Sequence, residues 1–239
     1  MKKVLGCMRR ACDEFNMIQP GDKIAVGVSG GKDSMLLAHG LALYKRYMKI
    51  DFELCAITVD LGFDGYDTKE LAEFLENDGI PYYVAKSEIG NIVFNIRKEK
   101  NPCALCAKMR KGVFYEYAES LGCNKAAYGH QLEDVIETLL MSLFYESRIN
   151  TFSPVTYLSK RNITLIRPFI YLPEKDVIGA VRKYNIPIRK NPCPASGVTK
   201  REEIKQLIKE LSKTNPNIKK NLIAAVRNTQ NYNLWDKCK

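Results

Sequence analysis

Six consecutive residues near the N-terminus, Ser29 to Ser34, read Ser-Gly-Gly-Lys-Asp-Ser and combine groups that can bind a phosphate. The two glycines allow close main-chain approach to an anion, Lys32 supplies positive charge, and the serines can donate hydroxyl hydrogen bonds. The order differs from the common G-x-x-x-x-G-K-[S/T] loop, because Asp33 follows the lysine and Val26 replaces the first glycine. A tight turn without a ligand is the simpler interpretation. We favour phosphate binding, since the six residues follow an apolar strand and open a helix.

Three cysteines in two separate segments form a second group of chemical interest. Cys103 and Cys106 have C-x-x-C spacing in PCALC, and Cys193 lies between two prolines in NPCPAS. The pair alone could bind a metal, form a redox dithiol or be accidental. Three thiolates are one fewer than a closed structural zinc site requires, and they suit a [4Fe–4S] cluster with one iron free of protein ligands. The other cysteines have structural interpretations, as does Cys55 in a predicted buried strand.

Polar side chains also stand at the ends of two other predicted strands. Asp60 closes the second strand, and the segment GHQLED, from Gly129 to Asp134, follows the fourth. The carboxylates of Asp33, Asp60 and Asp134 are candidates to contact a cation or a ligand bound at this edge. Gly129 would give a ligand room, whereas His130 is equally well explained as a structural histidine.

The spacing of apolar residues predicts strands that alternate with helices. The predicted strands are 22–29, 52–62, 80–86, 124–130 and 163–169. The predicted helices are 4–17, 33–47, 68–77, one that follows a loop containing the C-x-x-C pair and ends at 122, 133–145, 173–185, 200–212 and 216–232. This alternation indicates an α/β fold with a parallel sheet, in which ligands bind beyond the carboxyl ends of the strands. The three strand-end segments above therefore belong at one edge.

The charge of the chain favours a polyanionic partner. Its 239 residues include 37 Lys and Arg against 27 Asp and Glu, a formal net charge of +10. Such a surplus attracts phosphates, although many basic proteins bind none. Arg110 and Lys111, after the C-x-x-C pair, could neutralise phosphate charge on such a partner, or could simply form a solvated helix face.

Neither a signal peptide nor an apolar run of membrane-spanning length is visible, so we expect a cytoplasmic protein without membrane association. In that compartment eight cysteines are not expected to form a disulfide framework.

The segment Ser29 to Ser34 resembles the PP-loop of the N-type ATP pyrophosphatases, which cleave ATP between the α and β phosphates and transfer AMP to a substrate oxygen. Over nearly the whole chain, the order of five segments resembles the tRNA 2-thiocytidine synthetase (TtcA-type) family. These segments are SGGKDS, PCALCAKMRKGVFY, GHQLEDVIETLLMSLFY, IRPFIYLPEKDVIGAVRKYNIPI and NPCPASG. The family commonly has two aspartates where this chain has Glu133 and Asp134, a change that keeps the charge and moves the first carboxylate outward.

The resemblance implies an adenine-nucleotide α-hydrolase-like fold, a Rossmann-like sandwich with helical N- and C-terminal extensions. We expect a single PP-loop domain over residues 1–239, with an N-terminal helix at 1–20, an α/β core at 21–195 and a helical tail at 196–239. The expected nucleotide-binding residues are Ser29, Gly30, Gly31, Lys32, Asp33, Ser34, Asp60, Gly129 and Asp134. The expected catalytic residues are Lys32, Asp33, Arg110 and Asp134, and the expected cluster ligands are Cys103, Cys106 and Cys193.

The activity that the resemblance implies is ATP- and [4Fe–4S]-dependent thiolation of tRNA, with Mg²⁺, in which O2 of an anticodon-loop cytidine is adenylated and replaced by sulfur. The implied partners are tRNA, a second copy of the chain in a homodimer, and a sulfur donor, either a cysteine desulfurase product or inorganic sulfide. Two alternatives stay open. One is a PP-loop thiolase acting on another tRNA base or a small molecule, and the other is a zinc-clipped RNA-binding module without catalysis.

Overall fold

The computed structural model describes residues 1–63, 65–98, 102–189, 193 and 200–228. The strands are β1 (Lys23–Gly27), β2 (Glu53–Asp60), β3 (Tyr82–Lys86), β4 (Lys125–Ala127), β5 (Val155–Leu158) and β6 (Ile163–Ile166). The helices are α1 (Lys2–Glu14), α2 (Lys32–Met48), α3 (Lys69–Asn77), the short α4 (Ile89–Asn91), α5 (Pro102–Ser120), α6 (Leu132–Tyr145), α7 (Glu174–Lys183), α8 (Lys200–Thr214) and α9 (Ile218–Arg227). A π-helical stretch, Ile92–Ile96, continues α4.

The six strands form one sheet in the order β3-β2-β1-β4-β6-β5. All pairings are parallel except that of β5 with β6, so the predicted α/β fold with a parallel sheet is confirmed. The sequence analysis did not predict β5 or the helical segment from Ile89 to Ile96. The four residues of β5 lie at the edge of the sheet and none is buried, so they lack the apolar run that marks a central strand.

The chain divides into two compact units, Met1–Gln131 with Ser153–Ser196 and Leu132–Phe152 with Gly197–Lys239. In the first unit, Ala25 of β1 packs in a cluster with Ile57 of β2 and Phe114 and Ala118 of α5. The neighbours of Ala25 on β1 point to the opposite face and are also fully buried. Burial on both faces explains why the central strands read as continuous apolar runs.

The second unit is helical, as far as the structure describes it. Ile136 and Leu140 of α6 pack with Ile204 and Ile208 of α8, and Leu222 of α9 lies against them. The two predicted tail helices are therefore present, with the second one described up to Arg227 and its predicted end at 229–232 outside the described residues. Nothing in the sequence indicated that α6 packs with these helices. The expectation that residues 1–239 form a single PP-loop domain stays a prediction.

One predicted boundary is wrong at a position that matters for function. The sequence analysis placed the C-x-x-C pair in a loop, whereas α5 begins at Pro102 and holds Cys103 and Cys106 as its second and fifth residues. Proline is favoured at the first helical position, which accounts for this earlier start. Positions three apart on a helix lie on neighbouring parts of one face, so the two thiols are presented together. No helix in the described residues has the length and apolarity needed to cross a membrane.

A buried ion pair at the amino ends of the strands should contribute strongly to stability. Lys125 Nζ lies 2.6 Å from Asp22 Oδ2 and donates to the Met17 carbonyl at 2.7 Å, and both side chains are almost fully buried. We expect Lys125→Met to lower the free energy of unfolding by about 3 kcal/mol, because Asp22 would keep a buried charge compensated only by hydrogen bonds from the Gln19 N–H and the Asn124 amide. Urea unfolding measures this loss. The matched control, Lys23→Met, breaks an exposed pair with Glu53 and should cost less than about 1 kcal/mol. Equal losses for the two variants would contradict this assignment.

Candidate active site

The turn between β1 and α2 is shaped by a glycine in a left-handed conformation. Gly30 has φ +78°, and a Cβ atom there would lie 3.1 Å from both the Tyr66 hydroxyl and the Arg189 carbonyl oxygen. Gly31 follows in an extended conformation and precedes the first turn of α2. The free N–H groups at the start of α2 and the positive end of its dipole therefore lie at this turn, an arrangement that binds anions.

The two serine hydroxyls of the loop hold its shape. The Ser34 hydroxyl donates to the Gly31 carbonyl at 3.0 Å and accepts the Ser29 main-chain N–H at 3.1 Å. The Ser29 hydroxyl accepts a longer bond from Gly31 N–H at 3.4 Å. The sequence analysis regarded these hydroxyls as donors to a ligand, and the structure gives them partners within the loop.

Lys32 is a half-buried cation with two carboxylate partners. Its Nζ lies 2.9 Å from Asp33 and 3.3 Å from Glu174. Burial alone would lower the pKa of Lys32. The hydrogen bonds and negative charges of Asp33 and Glu174 have the larger combined effect, so the pKa of Lys32 is raised. Lys32 is therefore charged at neutral pH. No pattern in the sequence linked Glu174, in the first turn of α7, to the loop.

Gly129, after β4, allows the main chain there to approach the start of α2. A Cβ atom at this position would lie 2.8 Å from the Asp33 carbonyl oxygen, closer than side chains tolerate. Gly129 therefore lies against Asp33 in the first turn of α2, the helix that follows the nucleotide loop. Its predicted role in admitting a ligand stays a prediction.

Asp60 lies at the end of β2, as predicted, and accepts the Gly62 N–H at 2.9 Å. Burial raises the pKa of the Tyr66 phenol to about 12, with Tyr82 and Asp60 adding to the shift and Arg110 opposing it. Asp60, Tyr66 and Arg110 therefore share one electrostatic environment. Because Tyr66 also donates to the Ser29 carbonyl at 3.2 Å, this environment is adjacent to the nucleotide loop.

The thiols of the C-x-x-C pair differ in exposure. Cys103 is exposed, whereas Cys106 packs among Leu61, Ile89 and Val93 and is only 9% exposed. Burial raises the pKa of Cys106; Arg110 opposes this shift, and Cys193 and Cys103 add to it. All three predicted cluster ligands therefore interact electrostatically, although among the described residues no three His, Cys, Asp or Glu side chains are arranged tightly enough to hold a metal ion. Soft thiolates next to a cation are chemically suited to an iron–sulfur cluster.

Arg110 connects the thiols to the nucleotide loop electrostatically. Besides Cys106 and Tyr66, Arg110 acts on Tyr128. Burial raises the pKa of Tyr128, the interaction with Tyr115 adds to this shift, and Arg110 and Arg167 oppose it. The Tyr128 ring lies over Gly27, where a Cβ atom would be 2.6 Å from the ring. Arg110 therefore acts electrostatically on groups in both parts of the predicted site, and its catalytic role stays a prediction.

His130 has a partner that the sequence analysis did not identify. The guanidinium of Arg167 donates from Nε to His130 Nδ1 at 3.3 Å. A guanidinium can only donate, so Nδ1 accepts and the ring proton of a neutral His130 lies on Nε2. This contact supports the structural interpretation of His130. An arginine in a predicted buried strand was the signal that could have revealed it.

Asp134 and Glu133 belong to the second unit and are paired there with cations of the tail. Arg201 lies 2.7 Å from Asp134 and 3.5 Å from Glu137, and Lys219 lies 2.8 Å from Glu133. Glu133 is buried, so its ion pair with Lys219 gives it a structural role. The sequence analysis assigned Arg201 and Lys219 no such partners, since nothing in the pattern relates the tail to α6. The expected contact of Asp134 with Mg²⁺ or nucleotide stays a prediction.

The fold and the loop define a PP-loop protein, and comparison with known proteins agrees. The family model described as "PP-loop domain" matches residues 7–211. The tRNA-cytidine(32) 2-sulfurtransferase of Geobacter sulfurreducens is 36% identical, with coverage of 98% of this chain and 93% of that protein. The tRNA-cytidine(32) 2-sulfurtransferase of Syntrophotalea carbinolica is 37% identical, with coverage of 99% and 91%.

Solved structures show the same fold. The U34-tRNA thiolase NcsA from Methanococcus maripaludis, solved with its [4Fe–4S] cluster, has a TM-score of 0.78 and 24% identity, covering 100% of this chain and 80% of that one. The NH3-dependent NAD synthetase from Campylobacter jejuni has a TM-score of 0.53 and 16% identity, covering 100% and 98%. The chain therefore belongs to the tRNA 2-thiocytidine synthetase (TtcA-type) family of PP-loop proteins, a family of tRNA-thiolating sulfurtransferases.

Substitution at Gly129 should damage nucleotide binding through the loop. In Gly129→Ala the new methyl group would displace the Asp33 main chain at the start of α2, so we expect at least about tenfold weaker binding of α,β-methylene ATP by calorimetry. Gly179→Ala in α7 is the matched control, because its Cβ would meet no atom within 4 Å. The control should bind normally and unfold at a slightly higher temperature. Normal binding by Gly129→Ala would contradict the close approach.

Proposed function

We propose that this protein is an ATP- and [4Fe–4S]-dependent tRNA sulfurtransferase that adenylates O2 of an anticodon-loop cytidine and replaces it with sulfur, giving 2-thiocytidine. The observation that carries the proposal is the Gly30 turn at the start of α2 beside the half-buried cation Lys32, in a chain 36% identical to a tRNA-cytidine(32) 2-sulfurtransferase. Main-chain donors and a fixed cation stabilise the charge that develops on departing pyrophosphate.

The first step forms one bond and breaks one bond. The cytidine O2 attacks the α-phosphorus of ATP, the bond to the β-phosphate breaks, and pyrophosphate leaves with its negative charge held by Lys32 and the loop amides. O2 alone is a poor leaving group, whereas the adenylated oxygen leaves as AMP. Replacement then forms a bond between C2 and sulfur and breaks the bond between C2 and O2. We assign to Arg110 the stabilisation of negative charge that develops during the reaction, and its electrostatic action on both Cys106 and Tyr66 supports this role.

The proposed cluster ligands are Cys103, Cys106 and Cys193. Cys103 and Cys193 each act electrostatically on Cys106, and cysteine sulfurs are the ligands that iron–sulfur clusters take. With three protein ligands, a bound cluster would leave one iron free to carry the sulfur that is transferred. Asp33, Asp60 and Asp134 are the proposed contacts of Mg²⁺, which would neutralise pyrophosphate charge. A homodimer, a cytoplasmic location and a sulfur donor of either kind named above complete the proposal.

Two other functions would give different results in the experiment described below. A PP-loop thiolase for another tRNA base or a small molecule would keep the ATP chemistry and yield a different product. A zinc-clipped RNA-binding module would bind tRNA and release no pyrophosphate above background.

Anaerobic reconstitution followed by nucleoside analysis tests the proposed function. The reconstituted protein, incubated with unmodified tRNA, ATP, Mg²⁺ and sulfide, should form 2-thiocytidine detected by mass spectrometry, and no product when ATP is omitted. Cys193→Ala should lose cluster iron and product, because the cluster would keep only two ligands. Cys7→Ala, in α1, is the matched control and should retain both. Product formation by a preparation without iron would contradict the cluster assignment, and a different thionucleoside would contradict the assignment of cytidine.

A further inference from the structure

The turn of the nucleotide loop contacts two residues that the proposed mechanism does not use. Tyr66 donates its hydroxyl to the Ser29 carbonyl at 3.2 Å, and the Arg189 main-chain N–H donates to the Gly30 carbonyl at 2.9 Å. A Cβ atom on Gly30 would meet both neighbours at 3.1 Å. The turn is therefore bounded on both sides by these two residues.

An ion pair joins these two neighbours. Arg189 Nη2 lies 2.7 Å from Glu70 Oε2, and Glu70 lies in the first turn of α3, four residues after Tyr66. The contacts run from Ser29 to Tyr66, along the chain to Glu70, across to Arg189 and back to Gly30. We call Tyr66, Glu70 and Arg189 the loop clamp.

The members of the loop clamp do not contribute equally. The ion pair is about half exposed on both sides, and such pairs contribute little. Tyr66 is half-buried, and burial raises its pKa to about 12, with Tyr82 and Asp60 adding to the shift and Arg110 opposing it. The phenol therefore stays protonated at neutral pH and remains a donor to Ser29.

We propose that Tyr66 is a positioning residue for ATP, because its hydroxyl holds the Ser29 carbonyl and keeps the loop in the conformation that receives the phosphates. A preformed loop does not lose conformational entropy when the nucleotide binds, whereas a released loop does. Tyr66 thus sets ATP affinity without touching the reacting atoms. This inference rests on the proposed ATP chemistry.

The test removes one hydroxyl and measures nucleotide binding separately from turnover. Calorimetry with α,β-methylene ATP and Mg²⁺ should give a Kd about threefold to tenfold higher for Tyr66→Phe than for wild type, the usual range for one lost hydrogen bond. Pyrophosphate release with tRNA should show the same rise in the KM for ATP and little change in kcat. Glu70→Gln should change the Kd less than about twofold.

The matched control is Tyr157→Phe, since the Tyr157 hydroxyl donates to Asn162 at 2.8 Å on the exposed edge strand β5. It should bind the analogue as wild type does. Unchanged binding by Tyr66→Phe, or a fall in kcat and thermal stability with unchanged KM, would overturn the loop clamp and leave the proposed function intact. Failure of the wild-type protein to bind the analogue would overturn both.

Discussion

The site depends on close main-chain approach at glycines. At Gly30 the left-handed turn fits beside Tyr66 and Arg189, at Gly129 the end of β4 lies against Asp33, and at Gly27 the Tyr128 ring covers β1. A Cβ atom would force a shift at Gly129 and Gly27 and would be crowded at Gly30. Together these contacts fix the start of α2 relative to the sheet, so the amides that would hold pyrophosphate are positioned before the nucleotide arrives.

Electrostatics relates the thiols to this turn. Lys32 keeps its charge because Asp33 and Glu174 compensate for burial, and an incoming polyphosphate would exchange these carboxylates for phosphate oxygens. Arg110 acts both on Cys106, at the start of α5, and on Tyr66, next to the loop. One cation thus acts on groups in both parts of the candidate site, as the proposed activation and sulfur transfer on one base would need.

The apolar runs and the glycine-lysine loop were sufficient to predict the parallel sheet and the loop at a strand end. Pattern alone could not reveal contacts between distant segments. The role of Glu174 depends on where α7 begins relative to Lys32, and the pairing of Glu133 with Lys219 depends on how α9 packs on α6. The half-exposed strand β5 and the proline-initiated start of α5 were missed because neither has the periodicity of a buried element.

The central claim is that the loop directs attack by a substrate oxygen on the α-phosphorus of ATP. Labelling O2 of the target cytidine with ¹⁸O, followed by mass spectrometry of the released nucleotide, tests it most directly. The account predicts ¹⁸O in the phosphate of AMP and none in pyrophosphate. Label retained in the nucleoside, or released to water while sulfur is incorporated, would contradict it.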